Sequence, residues 1–175
     1  MYHSLRPLLI ISLLGLCLAG GIASSQASTT FTVNSTADDI DAVSGDGICE
    51  TMPGNGICTL RAAIRETNAR SGPDTIILPS GTYRLSRLGK FEDAAATGDL
   101  DITDDITIIG AGATRTIIDG NNTDRVFDIF GTPNEARVII DGVRIQHGNP
   151  LFVNQEDNHA IATSAHWITA DSGAR

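Results

Sequence analysis

Residues 28–34 alternate, with Phe31 and Val33 on one side and Thr30, Thr32 and Asn34 on the other, the period of a strand buried on one face. From Leu60 the period changes. Leu60, Ala63, Ile64 and the aliphatic part of Thr67 recur at i, i+3, i+4 and i+7, which predicts a helix of about three turns from Leu60 to roughly residue 70. Thr59 stands where its hydroxyl caps the first turn, and Gly72-Pro73 supplies the stop. Two strands follow, over 74–78 and 82–85, split by the turn Pro79-Ser80-Gly81. Residues 86–98 are charged or small and read as a loop too polar to enter the core. Beyond them short runs rich in Ile and Val recur over 100–102, 106–109, 116–118, 126–129, 138–140 and 143–145, closed by Gly, Asn or Asp. Several begin about ten residues apart, a rhythm that suits a solenoid of short parallel strands. An antiparallel sandwich spaces its strands as regularly, so the pattern by itself leaves both architectures open.

Ahead of residue 28 the chain is patterned differently. Arg6 precedes a nearly unbroken apolar stretch over 8–18, and Ala23-Ser24-Ser25 and Ser25-Gln26-Ala27 offer small residues for a cut. This is the layout of a secretory leader occupying residues 1–27, and the apolar stretch is short for a membrane span. Cys17 raises a lipoprotein alternative, against which Leu16 stands where that processing needs a small residue. The whole chain carries 21 acidic and 12 basic residues, a formal net charge of −9. Removing Arg6 with the leader makes it more acidic still, and Lys90 is its lone lysine. Such a composition argues against nucleic acid as a partner, because phosphate binding needs clustered Lys and Arg. It favours Ca²⁺, which takes oxygen ligands.

Cys49 and Cys58 are the cysteines left after processing. In an oxidising compartment so close a pair reads as a disulfide, with free thiols as the alternative, and no His or third Cys stands near enough to complete a zinc set. Asp39, Asp41 and Glu50 fit the first, third and last ligand positions of a calcium loop, but Val43 takes the fifth and Ser44 falls where the turn Gly belongs. The EF-hand reading therefore fails. A looser Ca²⁺ site from Asp39, Asp41 and Asp46 stays a candidate beside the plainer reading of a solvated acidic loop.

The string Cys58-Thr59-Leu60-Arg61-Ala62-Ala63 resembles the Cys-Ser-Leu-Arg-Glu-Ala signature of the CSLREA domain family. The string from Glu92 to Ile102, Ile109-Gly110-Ala111-Gly112 and Ile117-Ile118-Asp119-Gly120 are similar to the same family, so the likeness covers roughly residues 30–148. Known members place this module at the N-terminal end of secreted bacterial or archaeal parallel β-helix proteins related to pectate lyases. The resemblance implies a mainly β fold: the start of a right-handed parallel β-helix, a single-stranded solenoid with an N-terminal α-helical cap, short or truncated in this chain. It divides the sequence into a leader (1–27), a capping region with the cysteine loop and helix (28–74), β-helix coils (75–150) and a tail (151–175).

The chain departs from the signature at two positions. Thr59 is a hydroxyl swap. Ala62 stands where Glu would close a capping box, so a helix start weaker by up to about 1 kcal/mol is expected. Open solenoid ends expose unpaired strand edges. Covering one is the expected job of a cap formed by Thr59, Leu60 and Ile64, with Arg61, Arg65 and Glu66 facing water. After Gln146-His147-Gly148-Asn149-Pro150 the rhythm stops. The reading is a truncated or frame-shifted fragment, with an improvised cap carrying the stripe Ile161, Ala165 and Ile168 as the alternative.

The resemblance implies no common reaction. Parallel β-helices commonly cleave acidic polysaccharides, either with a strand-bound Ca²⁺ and an arginine base or with paired aspartates. Candidates for such work are Asp99, Asp101, Asp104, Asp105 and Asp128, with Arg125, Arg144 and His147 near them in sequence. Plainer readings compete: Asp99 and Asp101 alternate with Leu100 and Ile102 as the outward side of a strand, Asp119 and Asp141 serve turns before Gly, and His147 is isolated. No catalytic residue is assigned. The expectation is a non-enzymatic secreted or cell-surface scaffold that needs no cofactor, with Ca²⁺ as an optional ion. A degenerate pectate-lyase-like lyase or hydrolase is the first alternative and a carbohydrate-binding or adhesion module the second. Extracellular polysaccharide or cell-surface components are the candidate partners, and the processed chain is not expected to be an integral membrane protein.

Overall fold

The computed structural model describes residues 27–129 and 136–149. All but the last residue of the expected leader lies outside the described residues, as does the tail with Ile161, Ala165 and Ile168.

Strand β1 (Thr30–Thr32) buries Phe31 and exposes the threonines on either side, and Val33 just beyond it is fully buried. Helix α1 spans Leu60–Asn68. Its N-cap is Thr59, whose Oγ1 accepts the Ala62 N–H at 3.0 Å and donates to the Asp39 carbonyl at 2.6 Å. The remaining strands are β2 (Asp74–Leu78), β3 (Gly81–Arg84), β4 (Leu100–Ile102), β5 (Ile106–Gly110), β6 (Thr116–Asp119), β7 (Phe127–Ile129), β8 (Val138–Asp141) and β9 (Arg144–Gln146). Most fall on short runs rich in β-branched or aromatic residues, with β4 and β9 carrying a single isoleucine each, and turn formers lie between them, which is why the sequence pattern locates them.

The strands form three sheets, ordered β1-β2-β5-β8, β3-β6-β9 and β4-β7, and every pairing is parallel. Parallel pairing removes the antiparallel sandwich. Strands β2, β3 and β4 lie in three different sheets; β5, β6 and β7 revisit those sheets in the same order, and β8 and β9 continue in the first two. Because the register repeats, like residues stack. Phe31, Ile76, Ile108 and Ile140 stand abreast in the first sheet, Tyr83, Ile118 and Ile145 in the second, and Leu100 beside Phe127 in the third. These side chains form one apolar core, to which α1 adds Leu60, Ala63 and Ile64. At the turns after β5 and β8 the backbones close up, so that a β-carbon on Gly110 would run into the Gly142 carbonyl.

Cys49 and Cys58 are joined as a disulfide. Two expectations about the polar stretches are overturned. Arg61 is 1% exposed and Glu66 0%, so two of the three charged helix positions expected in water are interior. Segment 86–98 does enter the core, because Ala95 is fully buried and belongs to the apolar cluster. The two errors share a cause: the loops before the helix and before β4 close over its polar side, and their backbone groups replace water around Arg61 and Glu66.

Candidate functional site

Within β4 the Leu100 N–H bonds the Val126 carbonyl at 3.0 Å, so alternate peptide groups turn toward β7 and the rest turn away. Those turned away meet α1. The Asn68 Nδ2 donates to the Asp101 carbonyl at 2.7 Å, and its Oδ1 accepts from the Thr103 N–H at 3.0 Å. One residue of a neighbouring parallel strand would make the same two bonds. Arg61 continues the line, its guanidinium donating to the carbonyls of Asp99 at 2.9 Å, Gly98 at 2.8 Å and Ala95 at 3.2 Å.

The remaining donors of Arg61 go to Asp38, through Nε to Oδ1 at 2.5 Å and Nη2 to Oδ2 at 3.3 Å. Asp38 Oδ2 also accepts the N–H groups of Ser86 at 2.6 Å and Arg87 at 2.9 Å. This complete pairing is what makes an interior arginine tolerable. One helix turn away, Glu66 accepts the N–H groups of Gly45 and Gly47 in the acidic loop. Burial pushes its carboxyl above the ordinary range despite those two donors.

On the outer face of the third sheet lies an acidic cluster. Asp101 and Asp128 are register partners on β4 and β7, and neighbouring strands run about 4.8 Å apart, so the two carboxylates stand side by side. Segment 92–98 roofs them. The Glu92 carboxylate holds the segment in shape by accepting the N–H groups of Ala94 at 3.1 Å, Ala96 at 2.8 Å and Thr97 at 2.7 Å. Asp101 Oδ2 accepts the Ala95 N–H at 2.6 Å. Asp93 comes down beside them, and oxygens of Asp93, Asp101 and Asp128 lie within 4.8 Å of one another. Arg125 bridges the rim, with Nε 2.7 Å from Asp99 and Nη2 2.9 Å from Asp128.

Asp101 stands on the outward side of its strand, as the alternation predicts, but neither it nor Asp99 reaches solvent: they are 0% and 2% exposed, Asp101 beneath the Ala95 N–H and Asp99 against Arg125. Burial, with the charges of Asp99, Glu92 and Asp128 added, pushes Asp101 up to about 7 against the pull of the Ala95 N–H. Burial also raises Asp99 despite Arg125.

The other candidate residues are spread over separate tasks. Asp41 accepts the N–H groups of Val43 and Glu50, each at 3.0 Å, Asp46 accepts that of Ile48 at 2.8 Å, and Asp39 lies 3.7 Å from Arg87. Asp104 accepts the N–H groups of Gly72 and Asp105, and Asp105 that of Arg137. His147 sits exposed with its Nδ1 3.0 Å from Asp119, and Arg144 is exposed on β9. So Asp99, Asp101, Asp128 and Arg125 are brought together, and the rest are not. Asp38 and Asp93 escaped the sequence reading. A signal for the paired aspartates was present, since Leu100-Asp101-Ile102 and Phe127-Asp128-Ile129 repeat one pattern. Asp38 carries no such mark among the acidic residues around it.

Among the described residues no helix is long and apolar enough to cross a membrane. No protein-family model, curated protein or solved structure matches the chain.

Proposed function

We propose that this chain is a non-enzymatic scaffold, the N-terminal end of a right-handed parallel β-helix exported to the cell exterior, in which the segment ahead of β2 closes the open end of the stack. The observation that carries this reading is the outer edge of β4, where Asn68 and Arg61 take up the bonds that a further strand would take. An open edge of that kind recruits other chains. In the first sheet the three-residue strand β1 pairs along β2 and takes the edge position, and short edge strands discourage further pairing. Rotation of the chain through three sheets supports the winding, and parallel crossovers almost always take the right-handed course. The disulfide supports an oxidising compartment, as does the leader-like stretch over 1–27. Extracellular polysaccharide or cell-surface components remain the partners that fit such an address.

Asn68→Leu keeps the helix and removes both edge bonds. It is expected to leave the chain folded but self-associating, as growth in size with concentration measured by light scattering. Ile64→Asp, which places a charge in the core under α1, is expected to give insoluble protein. If both variants remain soluble monomers, the capping role is refuted. Incubation of the purified chain with polygalacturonate and Ca²⁺ is expected to yield no unsaturated product; its appearance would replace the scaffold with a polysaccharide lyase.

A further inference from the structure

Asp101 and Asp128 are held abreast by the register of β4 and β7, an arrangement that costs free energy while both are ionised unless positive charge stands between or beside them. The positive charge on the protein side is limited. Arg125 divides its guanidinium between Asp99 and Asp128, and Arg61 is committed to Asp38 and three carbonyls. Asp93 adds a third carboxylate to the same spot from the roofing segment.

A second observation concerns a single atom. Asp101 is 0% exposed, its Oδ2 is taken by the Ala95 N–H, and its Oδ1 has no hydrogen-bond partner among the described residues. A sealed carboxylate oxygen without a partner is a costly feature in a protein interior. A cation ligated by that carboxylate removes the cost.

We propose that Asp93, Asp101 and Asp128 bind a calcium ion that fastens segment 92–98 onto β4 and β7. The donors are carboxylate oxygens alone, the choice of a hard cation, with no imidazole or thiolate to favour zinc or copper. Oxygens on opposite sides of one Ca²⁺ are at most about 5 Å apart, so a single ion reaches all three side chains. Calcium completes its shell with water and tolerates irregular geometry, which suits a set assembled from two strands and a loop. Asp93 is exposed and gives the ion a way in from solvent. This site is distinct from the Asp39, Asp41 and Asp46 loop, and it stands independently of the scaffold reading.

The test uses the full chain, stripped with EDTA and titrated with CaCl₂ by calorimetry, in parallel with thermal melts with and without Ca²⁺. One saturable site per chain is expected, together with a Tm that rises with Ca²⁺. Asp101→Asn and Asp93→Asn are each expected to weaken binding about tenfold or more by removing ligand charge. Asp93 is exposed, so its replacement tests the ligand set even if Asp101→Asn fails to fold. Asp46→Asn is expected to bind Ca²⁺ as the parent does. The proposal is overturned by the absence of saturable binding up to about 10 mM, above the weakest extracellular calcium sites. It is equally overturned if Asp93→Asn binds like the parent, or if Asp46→Asn is the variant that loses the ion.

Discussion

Arg61 donates five hydrogen bonds from a side chain with 0% exposure. Truncating it to leucine strands three carbonyls and leaves the buried Asp38 without its counter-charge. Loss of one partner from a buried ion pair costs about 3–5 kcal/mol, and that is the drop expected for Arg61→Leu in urea unfolding. Arg61→Lys keeps the charge but not the planar fork, so it should recover only part of the loss. Asp119 supplies a pH dependence. Burial alone would raise its carboxyl, but hydrogen bonds from Gln146, the Asn121 N–H and His147 outweigh burial and hold it below the usual range. A depressed carboxyl contributes stability above its unfolded pKa and loses it as pH falls through the lower folded value. The Tm gap between the parent and Asp119→Ala is therefore expected to be widest near neutrality and to close below about pH 4. At this scale sequence reasoning saw Asp119 as a turn residue, and its bond from the Asn121 N–H at 2.8 Å agrees. It put Arg61 in water, because a charged residue on the polar side of a helix is solvated unless another segment covers it.

Helix α1 gathers the segment between β1 and β2. Its start at Leu60 and the Thr59 cap follow from the local sequence, as does the apolar side that enters the core. Its end lies slightly earlier than expected, at Asn68 with Ala69 as C-cap, and Asn68 is the residue that reaches β4. Thr59→Ala removes the oxygen that receives the Ala62 N–H, and is expected to cost about 1 kcal/mol in thermal unfolding. Cys49 and Cys58 close a short loop ahead of the helix. Replacing both by serine is expected to cost roughly 2–3 kcal/mol in the chain-entropy account, read as a lower denaturation midpoint. Segment 86–98 shows the limit of local reading. It is polar in composition, yet one alanine, Ala95, is interior and its N–H meets Asp101. Mean polarity cannot distinguish a loop lying in solvent from one folded back as a roof.

Across the whole molecule the repeating register ties three layers of strands into one core. Strand β5 is flanked by β2 on one side and β8 on the other, and its Ile108 stands between Ile76 and Ile140. Its amides are expected to be the slowest to exchange with deuterium, slower than those of β1 at the sheet edge; the reverse order would show that the sheet opens from its middle. Ile108→Ala should cost about 2–5 kcal/mol, because its fully buried side chain leaves a cavity between two layers. Strand positions and the helix with its N-cap were determined by the sequence alone, since period and capping chemistry depend on residues close together in the chain. Which strands become neighbours, and therefore that Asp101 stands beside Asp128 and Asp38 beneath Arg61, was decided only in the tertiary structure. Those partners lie 27 and 23 residues apart, and no short-range pattern encodes contacts created by winding the chain back past itself.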